Sequence, residues 1–566
     1  MSFTFKIVLL LLITYLNLFS NSESTIESNT LFEITLTSNF THSNFLDKEF
    51  LRSEFICDNG KSYIVSGFWN GSNNYKVRFN PPFVGKWKYT TICSDKNDLS
   101  LNNVHGEFNV FSNISINKLN SNGKLVVSSD NRHLIYENGI PYFCFWDTAW
   151  EITSKSDYKD MLYYLDKRRD QGFNGIMLCA LSHINFPIGG VFNSQQKQAF
   201  VNGDYSKPNY EYFEYLDSII FNINSRGMVA IINPVWSNNC ELYSFYNYHE
   251  KCFTVEQVFK LAAYMSARYS GRNVIWISGT DEAYDTSEKK EFIKQTALAI
   301  RFADGGRSLI TVHPHGWSSS VDYFDSTDSW LDFNMYQSSH TIGGDMTYKG
   351  AIQGYSLNKY KPLIDGEANY EDIFNNLNPD GILNPNSLRI NSSFVRLSRY
   401  QSFLSGAYMG ITYGANGVWQ WTTDTPGFQF SRYNWKRALE FSGAKDLKLM
   451  KEFMIKFDWF ELVPHQSLLS LNTSDYKIPV SSSNKYIIAY LPSNTKCASF
   501  RYDSLSNKIE YILLNPTNGD TLEYGTNNPN DMTGEILISR KDTNDALLVI
   551  RKYTIDIKMG INQKKL

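Results

Sequence analysis

The sequence predicts an α/β protein built around a central (β/α)8 barrel of the TIM type, flanked by an N-terminal and a C-terminal β-sandwich. Three observations carry this. Between residues 126 and 455 apolar runs alternate with longer amphipathic stretches, the texture of βα units around a parallel sheet. On either side, at 31–112 and 458–555, short alternating runs are punctuated by Gly, Asn and Pro, as in small sandwiches. Finally, no Gly-rich phosphate loop follows the first central strand, which weighs against an open doubly wound sheet.

Eight strands can be counted in the centre: Tyr142 to Trp146, Gly175 to Leu178, Met228 to Pro234, Val274 to Ser278, Ser308 to His313, Leu331 to Tyr336, Pro362 to Asp365 and Gly410 to Tyr413. Helix-like stretches fall between them at Tyr158 to Gln171, Tyr210 to Arg226, Val255 to Tyr269, Glu288 to Phe302 and Phe394 to Leu404. Eight strands over some 300 residues leave room for long loops on one barrel face. At 566 residues the chain is too long for a single core, which agrees with smaller flanking domains. An Asn/Ser-rich stretch from Ser112 to Asn131 reads as a linker.

Composition narrows the class of partner. Hydrophobic residues are 42% and charged residues 20%, the balance of a folded protein, and the net charge is only -3. With no basic cluster to neutralise a phosphate backbone, nucleic acid is excluded as a partner. Lys6 followed by the apolar run Ile7 to Phe19 and the small polar segment Ser20 to Ser24 reads as a signal peptide over residues 1–22, too short to span a bilayer. Secretion to the extracellular space or the secretory lumen is expected, and the sequons at Asn39, Asn70, Asn113, Asn391 and Asn472 agree with it. Seven cysteines are few for this length; Cys57 with Cys93 and Cys240 with Cys252 are the candidate bridges, whereas Cys144 and Cys179 read as buried thiols. No spacing suggests a metal site, and no cofactor is implied.

Working residues of such a barrel sit at the C-terminal ends of strands. Past the fourth strand comes Gly279-Thr280-Asp281-Glu282, and past the seventh Asp365-Gly366-Glu367. Hydrolysis of a glycosidic bond needs two carboxyl groups, one protonated to serve the leaving oxygen and one charged as nucleophile or base. Asp281 and Glu367 are the candidate pair, with Glu282 competing for the first role or contributing to substrate binding. Each acid alone would more often cap a helix or turn; two at strands four and seven is the more specific pattern. Strand ends also offer Asp147 and Trp150, His183, Trp236, His313 and His315, Tyr336, and Trp419 and Trp421 as groups to stack on or hydrogen-bond a sugar.

At these motifs the chain resembles the apiosidase-like glycoside hydrolase family. The runs that carry the resemblance are Phe145 to Trp150, Gln171 to Asn174, Pro208 to Asp217, Asn273 to Trp276, Lys361 to Glu367 and Tyr413 to Trp421, within roughly Val126 to Ser442. The segment Arg78 to Trp87 resembles the small sandwich often attached to such barrels, and the C-terminal region resembles a module named for collagen binding, a name that does not establish collagen as a partner. The resemblance implies a hydrolase of branched, pectin-like glycans with catalytic acids at the positions of Asp281 and Glu367. One departure is visible: the family commonly has Gly-Gly-Asp where this chain has Gly279-Thr280-Asp281. The expected function is therefore a secreted, retaining glycosidase acting on a polysaccharide or oligosaccharide. A catalytically silent carbohydrate-binding or adhesion protein is the alternative, and the presence of both acids favours the enzyme.

Overall fold

The computed structural model describes residues 24–182, 191–243, 252–325, 327–357, 359–375, 387–501, 509–527, 534–542 and 544–552. The expected signal segment and His183 lie outside them. Each of the eight central runs forms a strand: β1 (Cys144–Thr148), β2 (Gly175–Cys179), β3 (Val229–Asn233), β4 (Val274–Glu282), β5 (Leu309–Pro314), β6 (Asn334–Gln337), β7 (Leu363–Asp365) and β8 (Gly410–Tyr413). Both faces of β2 and β3 are buried throughout, which explains why these strands read as unbroken apolar runs. Six strands make one parallel sheet in the order β5-β4-β3-β2-β1-β8, a half-barrel. A second, smaller sheet pairs β6 and β7 in parallel and adds the short antiparallel strand Ser318–Ser319. Backbone bonds cross the seams between the two sheets, among them that from the Asp332 amide to the Ile310 carbonyl at 2.9 Å and that from the Met409 amide to the Leu363 carbonyl at 3.3 Å.

Amphipathic helices follow most strands. Asp157 caps α1 (Tyr158–Asp170), Asn209 caps α2 (Tyr210–Ser225), Thr254 and Gln257 form a capping box on α3 (Val255–Tyr269), and Thr286 caps α4 (Ser287–Ala303). Then come α5 (Met346–Tyr355), α6 (Ser392–Leu404) and α7 (Ser442–Lys456). Side chains inside the half-barrel meet closely: a Cβ on Gly175 would lie 2.3 Å from Trp146 Cδ1, so only glycine lets that indole occupy the interior.

The N-terminal residues fold as two sheets around a core that includes Phe55, Val77, Phe79, Trp87 and Phe108. Pairing begins earlier than expected, with Ser24–Glu27 alongside His105–Phe111. Two further sheets, of six and three strands, enclose Val480, Ile487, Phe500, Ile536 and Leu548 near the C-terminus. Charged side chains tie both regions to the central helices. Arg78 donates to Asp217 of α2 and to the Arg268 carbonyl of α3, while Arg396 of α6 donates to Asp545 and to Asp446 of α7.

The expected bridges are not formed, and all seven cysteines are thiols. Cys57 pairs across the sheet with Trp87, and Cys93 with Leu51, which sets the two sulfurs at opposite ends of the same strand pair. Six residues of strand separate them, roughly 20 Å at ~3.3 Å per residue. Cys240 does come close to Cys252, through a bridge to Phe253, but both remain thiols. Among the described residues no helix is long and apolar enough to cross a membrane.

Candidate active site

The C-terminal ends of β4 to β7 bring the two expected acids together. At the end of β4 the register with β5 slips between Ile277 and Glu282, and Asp281 takes a left-handed backbone (φ 51°), which turns its side chain out of the ladder. Gly279 allows this turn to pack: a Cβ there would sit 2.2 Å from Ile293 Cδ1. Thr280, the residue that departs from the family pattern, is buried and exchanges hydrogen bonds with Ser237. Its amide donates to Ser237 Oγ at 2.9 Å, and its Oγ1 accepts from the Ser237 amide at 3.2 Å. The branched side chain therefore pins the acid-bearing turn to the loop after β3.

Glu367 stands two residues beyond β7, held by groups from three segments. His313, at the end of β5, places Nε2 3.5 Å from Oε2, and His340, beyond β6, places Nε2 3.3 Å from Oε1. His340 Nδ1 accepts the Tyr370 amide hydrogen at 3.3 Å. Its proton is thereby left on Nε2, aimed at the carboxylate. The Tyr370 hydroxyl also hydrogen-bonds Glu367, and burial keeps that phenol protonated as a donor. Gln337, the last residue of β6, lies between the two acids and favours the charged form of each.

Electrostatics separates the two carboxyls. Crowding by protein, then the charges of Glu367 and Glu282, pushes Asp281 well above the usual carboxylate range, against a smaller downward pull from Gln337. Asp281 is open to cleft water, so the like charge of Glu367 is the part of that push least dependent on burial. Burial alone would raise Glu367, but His340 first, then His313 and Gln337, outweigh it and hold Glu367 below its ordinary value. Burial pushes the His313 imidazole down, against an upward pull from Glu367. Glu282 is pushed up to about 7 by burial, with Lys289 opposing, and no contribution from Glu367 is resolved on it.

The other expected sugar contacts divide. Trp150 lies on the cleft floor, edge-on to Trp236 at 5.5 Å and to His313 at 5.7 Å, its Nε1 donating to the Tyr370 hydroxyl at 3.3 Å. Trp419 borders the site, with its ring 6.4 Å from that of Tyr370. His315 Nε2 is 2.8 Å from the Tyr323 hydroxyl. Three of the expected sugar contacts instead face away from the cleft. Asp147 is fully buried against α1, bonded to Arg168 Nε at 2.7 Å and Tyr164 Oη at 2.5 Å. Tyr336 points outward, its hydroxyl donating to the Thr347 carbonyl and meeting Ser402 Oγ. Trp421 stacks on Trp435 at 4.4 Å beneath its loop. For Asp147 and Tyr336 the cause is strand alternation: their neighbours Trp146 and Gln337 take the inward positions.

Gln337, His340 and Tyr370 were missing from the sequence-derived site. The strand-end rule could have found Gln337, which closes β6 next to Tyr336; the other two lie three residues beyond a strand end or an acid, where only the loop path brings them back. Among the described residues no group of three His, Cys, Asp or Glu side chains is placed to hold a metal.

The half-barrel and the second parallel pair together set two carboxyls of opposite electrostatic bias at the C-terminal ends of β4 and β7. The model of the apiosidase-like catalytic domain matches residues 128–461, and the chain belongs to that family. Residues 25–94 match a domain of unknown function, DUF5060. A solved glycoside hydrolase is 26% identical, with a TM-score of 0.66 over 77% of this chain and 98% of its own. A family 5 glycoside hydrolase from Bacteroides vulgatus ATCC 8482 is also 26% identical, with a TM-score of 0.67 over 78% of this chain and 96% of its own. A further structure from the same bacterium, 17% identical with a TM-score of 0.70 over 94% of this chain and 100% of its own, shares the fold. No curated protein matches the chain. Family and relatives together support a glycosidase with a carbohydrate substrate.

Proposed function

We propose that this protein is a secreted, retaining glycosidase of branched polysaccharides in which Asp281 is the general acid/base and Glu367 the nucleophile. The observation that carries the reading is the opposite bias of two carboxyls that share Gln337. A carboxyl pushed up holds the proton that the leaving oxygen needs, while one held down stays charged for attack on the anomeric carbon. In the first step Glu367 bonds to that carbon as the glycosidic C–O bond breaks and the Asp281 proton passes to the departing oxygen. Water then attacks the same carbon, gives its proton to Asp281, and frees Glu367. His340, Tyr370 and His313 fix the nucleophile in place through both steps.

Asp281 is favoured over Glu282 because it alone of the two shows a resolved interaction with Glu367 and Gln337. Retention is read from the placement of the two acids after β4 and β7, the strands that carry the pair in many retaining barrel glycosidases, a fold-level analogy. It requires a carboxyl separation of about 5–5.5 Å, against about 6.5–9.5 Å for inversion. The central strands are read as one closed (β/α)8 ring, with the bonds at its two seams as support. Secretion rests on the apolar run Ile7 to Phe19 and the sequons, and a branched glycan on the family. The test is proton NMR of the sugar in the first minutes of hydrolysis. The same anomer as in the substrate is expected, and the opposite anomer would overturn the nucleophile assignment.

A further inference from the structure

We propose that Trp317 is a binding platform for a ring on the leaving-group side of the scissile bond, so that the preferred substrates are those whose departing group is itself a sugar. This rests on Asp281 being the proton donor, since the group that receives the proton departs on the donor's side. β5 lies next to β4, with Thr280 opposite His313 and Glu282 opposite Pro314, and the His315 amide donates to the Glu282 carbonyl at 3.3 Å. Residues 315–317 therefore run along the turn that presents Asp281. They also touch the residue shared by both acids. The Trp317 amide donates to the Gln337 carbonyl at 2.8 Å, and a Cβ on Gly316 would lie 3.2 Å from Gln337 Oε1.

Trp317 is the most exposed of the chain's 12 tryptophans, at 37%, against 2% for Trp150, 5% for Trp236 and 6% for Trp419. Its backbone is left-handed, φ 61°, an uncommon conformation for so bulky a residue. The indole N–H donates to Thr341 Oγ1 at 3.3 Å. Single exposed aromatics are ordinary on protein surfaces, but one with no role would not need a left-handed turn and an anchor at both backbone and ring. A ring already fixed in place loses little conformational freedom when a partner stacks on it, and an exposed indole face suits the C–H face of a pyranose or furanose.

The test uses the full chain with Trp317→Ala and Trp317→Phe. Retardation in native gels cast with pectin, arabinogalactan or xyloglucan reads binding without turnover. Retardation of wild type and the Phe variant by at least one glycan, with about tenfold weaker binding of the Ala variant, is expected. An unretarded wild type, or an Ala variant retarded equally, would overturn the platform. Hydrolysis of that glycan is then compared with hydrolysis of the methyl glycoside of the sugar it releases. The Ala variant should lose about tenfold in kcat/KM on the glycan and less than about twofold on the methyl glycoside; equal losses would contradict the leaving-group side. If Glu367→Gln hydrolyses like wild type, the carboxylate reading fails on its own, and the gels still decide Trp317.

Discussion

His340 Nε2 lies 3.3 Å from Glu367 Oε1, while its Nδ1 is occupied by the Tyr370 amide, so a neutral histidine can only donate to the carboxylate. This contact is among the causes that hold Glu367 low against its burial. Glu367 must be charged to attack, so the acidic limb of kcat/KM against pH follows its ionisation. Replacing His340 with Ala removes a downward influence and should move that limb to higher pH, with lower activity throughout. A pH profile with an unmoved acidic limb would show that His340 does not tune Glu367.

Asp281 and Glu282 are distinguished by leaving-group dependence. Asp281→Asn should cost about 10²- to 10⁴-fold in kcat/KM on sugar leaving groups. The loss in kcat/KM should be much smaller on an activated aryl glycoside, which departs without a proton, while its kcat still falls because the second step loses its base. Glu282→Gln should cost less than about tenfold on both. Steady-state kinetics on the two substrate types checks this, and a reversed pattern would move the acid role to Glu282.

Asp147 is a matter of stability. It and Arg168 are both fully buried and paired, and cutting one partner of a buried pair costs about 3–5 kcal/mol because the other charge is left uncompensated. Arg168→Met should therefore destabilise strongly in urea unfolding. Asp147→Leu combined with Arg168→Met should recover much of the loss. If the double variant were as unstable as the single one, packing and not the charge would be the cause.

Much of the fold is legible in the sequence because the central strands are buried on both faces and bounded by capped helices; β2, β3 and α3 fall within a residue or two of where the pattern puts them. Asp281 and Glu367 are legible as strand-end acids. Asp147, Tyr336 and Trp421 are not legible as structural residues, since facing outward depends on strand phase and loop path. His340 and Tyr370 are hidden for a similar reason: their bond to one another and their reach to Glu367 arise from two loops that adjoin only after the strands pair. Cys57 and Cys93 fail as a bridge through register, which their spacing does not encode.

The central claim is that two carboxyls hydrolyse a glycosidic bond. The most direct test is sugar release from plant, bacterial and host-type glycans by the purified protein, beside Asp281→Asn and Glu367→Gln variants with unchanged thermal midpoints. Release by the wild type that both substitutions abolish on at least one glycan is the predicted result. Release that survives Glu367→Gln, or no release from any glycan with binding unchanged in both variants, would contradict it.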